Sequence, residues 1–275
     1  MKRLYVCFFL LVAMCVVEAG QARADLLITP LRTVFEGRDR STVITLINTT
    51  GEYRTYRLGW TLLKMNDKGK YDTVDQLMSA SGRDMSADQM LRFSPRQVTL
   101  EPQGRQRIRI SLRRPADLAP GEYRAHLAIT RLAVDRDTAN STAVGGASAM
   151  LKVNLGFTIP VIVREGDANP VVTLENPQFI PQNNQGMPQL QFDIAGQNSL
   201  YSSYGRVKAY WTPANGQTEE VGLLNNVALY PEIDRRTLLL GLTQPSFSNG
   251  ILTLVYEGDQ EYEGRIFDKK SFNIK

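Results

Sequence analysis

From Leu26 onward the chain is written in short runs of β-branched, aliphatic and aromatic residues that alternate with polar ones and stop at turn residues. Alternation with a period of two marks a strand with one face buried, and stretches of helical period are few. The first half predicts strands over residues 26–35, 41–47, 53–63, 96–100, 106–112, 123–132 and 147–163. Between them stand Glu36-Gly37, Thr50-Gly51, Lys68-Gly69, Pro102-Gln103-Gly104 and Pro120-Gly121. This strand number and spacing fit an immunoglobulin-like sandwich. Residues 75–90 have mixed period and read as a loop or short helix. Residues 133–146, small and polar without an aromatic, read as a mobile hairpin loop.

A polar stretch at 164–170, carrying Gly166 and Pro170, separates this half from a second series of runs and is expected to be an interdomain hinge. The second series predicts strands over 171–175, 189–195, 205–211, 227–230, 236–241, 250–256 and 262–274. The predicted fold class is all-β: two immunoglobulin-like β-sandwich domains, residues 25–164 and 165–275, behind a signal peptide at 1–24.

The signal peptide is read from Lys2 and Arg3, the apolar run at 4–17 and the small residues of Ala22-Arg23-Ala24. A membrane-spanning helix needs about 20 apolar residues, and this run is broken by Glu18, Gly20 and Gln21. A lipid-modified Cys15 is disfavoured by the bulky Met14 before it. Both cysteines, Cys7 and Cys15, lie in this segment, so cleavage after Ala24 leaves a chain without thiols, stabilised by burial alone. Cleavage also removes Lys2, Arg3, Arg23 and Glu18 from 32 basic and 28 acidic residues. That leaves 29 against 27, a net charge near +2 that calls for no nucleic acid.

The most informative run is 147–160. Ala147, Ala149, Leu151, Val153, Leu155, Phe157 and Ile159 fall on one face; Ser148, Met150, Lys152, Asn154, Gly156 and Thr158 fall on the other. At ~3.3 Å per residue such a strand is roughly 40–45 Å long, well beyond the common five or six residues, so part of it is expected to outrun its own sheet. An ordinary core strand shows the same alternation, and the pattern alone leaves both readings open. Catalysis finds little support. The single His126 lies in an alternating strand, where a structural role is the plain reading, and no paired carboxylates, metal-ligand spacing or cofactor motif is visible. The expectation is no enzyme and no cofactor.

Five segments together resemble the periplasmic pilus-assembly chaperones of the chaperone–usher pathways, the PapD-like family, in a divergent or archaic branch. They are Thr29-Pro30-Leu31-Arg32-Thr33-Val34-Phe35-Glu36-Gly37; Val43-Ile44-Thr45-Leu46-Ile47-Asn48; the stretch from Phe93-Ser94-Pro95-Arg96 to Glu101-Pro102 with Gln106-Arg107-Ile108-Arg109-Ile110; Gly121-Glu122-Tyr123-Arg124; and residues 151–164, ending Ile159-Pro160-Val161-Ile162-Val163-Arg164. The match spans the first domain; the second matches in length and β character. The resemblance implies a boomerang of two immunoglobulin-like domains in the periplasm, with no membrane insertion. Its partners would be pilus or fimbrial subunits, bound by donor-strand complementation, and an outer-membrane usher.

By alignment back from Arg164, the resemblance makes Leu151, Val153 and Leu155 the donor-strand hydrophobes, with Ala149 and Phe157 as extensions. It makes Arg32 the anchor for the terminal carboxylate of a bound pilus subunit. Pro160 stands where the family has a companion lysine, which leaves Lys152, Arg92, Arg96 or no residue as the second cation. Arg164 matches an interdomain salt-bridge arginine, but its acidic partner is not found at the usual place, where Tyr123-Arg124 stands. The rival reading is a structural immunoglobulin-like surface protein or pilus subunit. Such a subunit would carry its free alternating segment at the N-terminus of one sandwich rather than inside a two-domain chain.

Overall fold

The computed structural model describes residues 25–132, 156–181, 187–196, 199–214, 216–244 and 247–274. The signal-peptide reading, the loop expected at 133–146 and the 147–155 part of the alternating run lie outside the described residues.

The first sandwich packs two sheets. One runs in the order β1 (Leu26–Thr29), β3 (Ser41–Asn48), β8 (Arg105–Leu112), β6 (Leu91–Ser94), all antiparallel. The other runs β2 (Thr33–Phe35), β10 (Gly156–Glu165), β9 (Gly121–Leu132), β4 (Arg54–Met65), β5 (Tyr71–Val74), with β7 (Gln97–Leu100) also on β4. Their facing apolar rows, including Ile44, Leu46, Ile108 and Ile110 from one sheet and Leu58, Leu127, Ile129 and Val161 from the other, form a single core.

The second sandwich pairs β11 (Thr173–Ile180), β12 (Gln189–Ala195) and β15 (Arg235–Gly241) against β14 (Glu219–Leu229), β13 (Ser203–Pro213), β16 (Gly250–Gly258) and β17 (Ile266–Ile274). Phe192, Trp211, Leu252 and Tyr256 are among its core residues.

The departures from the sequence reading have local causes. The run predicted at 26–35 is two strands in opposite sheets, because Pro30 supplies no N–H to continue a ladder and the chain crosses over at that point. Residues 75–90 form turns and single bridges, Met78 to Asp84 and Ser86 to Arg124, and no helix. Strand β6 escapes the sequence pattern because Arg92 and Ser94 give a four-residue strand only two apolar members.

Strand β9 carries the main structural surprise. Its sequence, Gly121-Glu122-Tyr123-Arg124-Ala125-His126-Leu127, alternates polar and apolar residues, yet all seven are buried. Ala125, Leu127 and Ile129 enter the first core. Glu122, Arg124 and His126 take the opposite face by the period of two, and that face is roofed. Met65 and Ile162 of the first domain meet Tyr204, Ala228, Tyr230 and Tyr262 of the second in a third apolar cluster. Backbone bonds tie the two sandwiches as well: Glu122 N to Leu200 O at 2.8 Å, Ala80 N to Pro231 O at 2.8 Å and Thr237 N to Asp67 O at 2.9 Å.

His126 is 3 % exposed, edge-on to the Tyr71 ring at 5.9 Å, and its Nδ1 has no hydrogen-bond partner among the described residues. Burial, with the Arg124 charge adding to it, lowers its pKa to about 3. The unfolded chain takes up this proton near pH 6.5 and the folded chain does not, so the stability of the neutral form is complete above ~pH 6.5 and is lost as pH falls towards 3. The slope is about 1.4 kcal/mol per pH unit in that window. Urea unfolding at pH 7, 5 and 4 should show the wild type losing this contribution while His126→Gln does not. Parallel pH profiles for the two proteins would rule the buried neutral histidine out as the source.

Candidate partner-binding edge and interdomain cleft

Strand β10 is an edge for half of its length. Antiparallel β9 flanks all of it, from Gly156 opposite Thr130 to Glu165 opposite Gly121. Parallel β2 covers the other side only at Val161–Val163. Among the described residues, 156–160 therefore have a strand on one side and none on the other, which leaves a row of backbone groups able to pair with an added chain. Gly156 and Thr158 are exposed, Phe157 lies partly buried against the first core, and Ile159 is buried in it. Pro160 is accommodated here because an edge strand tolerates a missing N–H.

The uncovered stretch ends at a cation. Thr33 is level with Val161, so Arg32, one residue before β2, comes level with Pro160. The Arg32 side chain is 3 % exposed. Its Nη1 donates to Glu261 Oε1 at 2.5 Å and its guanidinium lies 4.5 Å from the centre of the Tyr204 ring. Its Nε and Nη2 have no hydrogen-bond partner among the described residues. A buried donor left unpaired costs ~1–3 kcal/mol, so these two N–H groups favour any acceptor that reaches them. Burial opposes the charge, but Tyr230, Glu261 and Glu122 outweigh it and hold the pKa above the ordinary arginine value.

Glu261 sits in a 3-10 turn (Gln260–Tyr262) after β16, capped by the Asp259 carboxylate, which accepts from Gln260 N. Its Oε1 also accepts from Arg164 Nη2 at 2.9 Å, so one carboxylate of the second domain bridges two arginines of the first. Arg164 makes two more ion pairs: Nε with Glu122 Oε2 at 3.1 Å and Nη1 with Glu36 Oε1 at 2.7 Å. It also stacks 4.9 Å from the Tyr262 ring centre. Glu122 Oε2 closes the network by accepting from Ser202 N at 3.1 Å and Ser202 Oγ at 2.7 Å. A second pair, Arg124 with Glu232, lies beneath Tyr230, whose ring centre is 3.6 Å from the guanidinium. Glu232 also accepts from Met65 N at 3.0 Å.

The structure thus brings Arg32 and Arg164 together around Glu261. Ala149, Leu151, Lys152, Val153 and Leu155 lie outside the described residues. Arg92 and Arg96 line a different cleft, with Trp60 and Phe93. Arg164 has acidic partners after all. Glu122 is directly opposite it across the β9–β10 ladder, one residue before Tyr123-Arg124, and antiparallel pairing of residues 121–124 with 162–165 would have found it. Glu261, Tyr204 and Tyr262 carry no signal in the sequence pattern, because their roles arise only when the second domain docks.

No family model and no curated protein matches the sequence. Solved structures similar to this chain include one from a chaperone–tip adhesin complex of CFA/I fimbriae biogenesis, at 12% identity and a TM-score of 0.46, covering 91% of this chain and 99% of that one. Another is the CupB2 chaperone of Pseudomonas aeruginosa, at 12% identity and a TM-score of 0.41, covering 90% and 99%. A third comes from the CsuC–CsuE chaperone–tip adhesion subunit pre-assembly complex of archaic chaperone–usher Csu pili of Acinetobacter baumannii, at 15% identity and a TM-score of 0.42, covering 91% and 98%.

Arg164→Ala should lower stability by about 3–5 kcal/mol, because it leaves Glu122 charged and buried without its arginine. Adding Glu122→Gln should restore part of the loss. Urea unfolding of the single and double variants checks both, and a loss below about 1 kcal/mol for Arg164→Ala would show that the network does not hold the domains.

Proposed function

We propose that the chain is a periplasmic chaperone of pilus or fimbrial subunits that completes an unfinished subunit sandwich with its own strand and passes the subunit to an outer-membrane usher. The observation that carries this reading is the uncovered edge of β10 at 156–160, continuous in sequence with the alternating run 147–155 and ending level with Arg32.

A sandwich that lacks a strand exposes an apolar groove bordered by unpaired N–H and C=O groups, which is a template for aggregation. A donated strand answers both deficits, through ladder hydrogen bonds to the groove edges and alternate side chains in its pockets. Leu151, Val153 and Leu155 serve as the inserted side chains, with Ala149 and Phe157 at the ends. A subunit strand pairing with 156–160 on the side that β2 covers further along would lie end to end with β2. Running parallel to β10, its C-terminus would stop beside Arg32. A terminal carboxylate there would pair with the Nε and Nη2, buried in the free chain, once the Arg32 side chain opens towards it, and a bidentate guanidinium suits it and fixes the register of the pairing. Glu261 holds Nη1 and keeps the guanidinium oriented. Lys152 is the candidate second cation. The chemistry is binding, with no catalytic step and no cofactor.

Periplasmic co-purification should give a 1:1 complex that Leu151→Asp with Leu155→Asp abolishes in a folded protein; a homopolymer of the chain itself would point to a subunit instead. Arg32→Ala should weaken capture of a peptide that reproduces the last strand of a pilus subunit by about 2–5 kcal/mol. Amidating the peptide's terminal carboxylate should do the same, and the two changes together should cost little more than either. Additive losses would show that Arg32 and the terminal carboxylate do not meet.

A further inference from the structure

The outward face of the β1-β3-β8-β6 sheet has a composition unlike the rest of the molecule. Leu26 and Ile28 of β1, Ile44 and Leu46 of β3, and Ile108 and Ile110 of β8 point into the core, so the alternate residues face out. On β8 these are Arg105, Arg107 and Arg109, all exposed, and β6 adds exposed Arg92, level with Ser111. Arg113 continues the row at one end, in a cleft with Arg38, Asp39, Arg40 and Arg114. Across the outward positions of all four strands there is no aspartate or glutamate. None of Arg92, Arg105, Arg107 and Arg109 has an ion pair among the described residues. Arg109 reaches only Ser41 Oγ at 3.5 Å, and Arg92 only backbone carbonyls of Gln89 and Leu91.

A near-neutral chain that gathers unpaired arginines on one sheet face holds a localised positive field there, without the self-repulsion of a uniformly basic protein. The remaining outward residues of the face, Leu27, Thr29, Ser41, Val43, Thr45, Ile47, Ser94 and Ser111, include no aromatic side chain. Strong protein–protein interfaces centre on buried aromatic anchors in pockets; the outward positions of these strands offer none, and Phe93 of β6 packs against the first core beside the cleft it shares with Arg92. Their chemistry is instead flat, multivalent and electrostatic, with arginine forks spaced about 6.6 Å apart along β8 and half-exposed aliphatic side chains beside them. We propose that this face docks reversibly on an anionic phospholipid surface, its guanidiniums on headgroup phosphates, independently of the edge of β10.

Each arginine near such a surface strengthens binding by roughly fivefold, an effect confined to about a Debye length. Co-sedimentation of the full chain with vesicles should therefore show binding to two parts phosphatidylcholine and one part phosphatidylglycerol at low salt. Phosphatidylcholine alone should bind no protein, and roughly 0.5 M NaCl, where screening is short-ranged, should release it. The triple variant Arg105→Glu, Arg107→Glu, Arg109→Glu should lose more than about a hundredfold in partitioning while its circular dichroism and melting temperature stay those of the wild type. A charge-matched control, Arg57→Glu, Lys64→Glu, Lys269→Glu, alters exposed residues outside this face and should retain most of the binding. An equal loss in the control would mean that net charge alone is at work and would overturn the proposal. So would absence of binding to the anionic vesicles, or binding to a polyglutamate peptide and not to vesicles, which would make the face a protein-docking surface.

Discussion

One carboxylate, Glu261, joins the two domains at the point where the uncovered edge of β10 ends. It accepts from Arg32 and from Arg164, and Arg164 reaches on to Glu122 and Glu36. Charges this deep stand only if each is paired, since the desolvation of an isolated one is far larger than any single contact returns. The network therefore constrains geometry more than it adds net stability. It can be satisfied only when the second sandwich lies over the outer face of β9 and β10. That docking in turn buries Tyr204, Tyr230 and Tyr262 against Met65 and Ile162. The polar pairs and the apolar cluster fix the same arrangement, the pairs through direction and the cluster through area.

Two consequences follow for β10. Its C-terminal half is held from three sides, by β9, by β2 and by the second domain above Ile162 and Arg164. Among the described residues its N-terminal half has β9 as its one strand neighbour, with Ile159 set in the first core, so the same strand is enclosed where it meets the domain interface and open along one side where it leaves it. A rigid base suits a strand offered to a partner, because less conformational entropy remains to be lost on pairing. Arg32 marks the change between the two halves, oriented through one nitrogen while two others lack acceptors.

Much of the fold is legible in the sequence because the period of two survives wherever one face is dry and the other wet, as along β3 and β8. Legibility fails where that contrast fails. The burial of Glu122 and Arg124 on β9 has no mark in the alternation, because the second domain is what makes that face interior. Strand β14 is longer than the expected 227–230, since its exposed middle, Leu223 to Asn226, breaks the alternation and Asn226 adopts a positive φ of 57°. Of the site, Arg32 and Arg164 stand out only through the resemblance, whereas Glu261 lies in Asp259-Gln260-Glu261-Tyr262, a turn sequence with nothing to set it apart. An acidic turn residue reveals its role only through the distant cations it reaches.

The central claim is that the uncovered side of 156–160 pairs with a partner strand. Hydrogen exchange of the backbone amides across 156–160, measured on the free protein and on its complex with a pilus subunit, tests it most directly. Strong added protection of those amides that point away from β9, with little change at Val161–Val163 where β2 already pairs, is the expected result. A stable complex that leaves exchange across 156–160 unaltered would contradict the account.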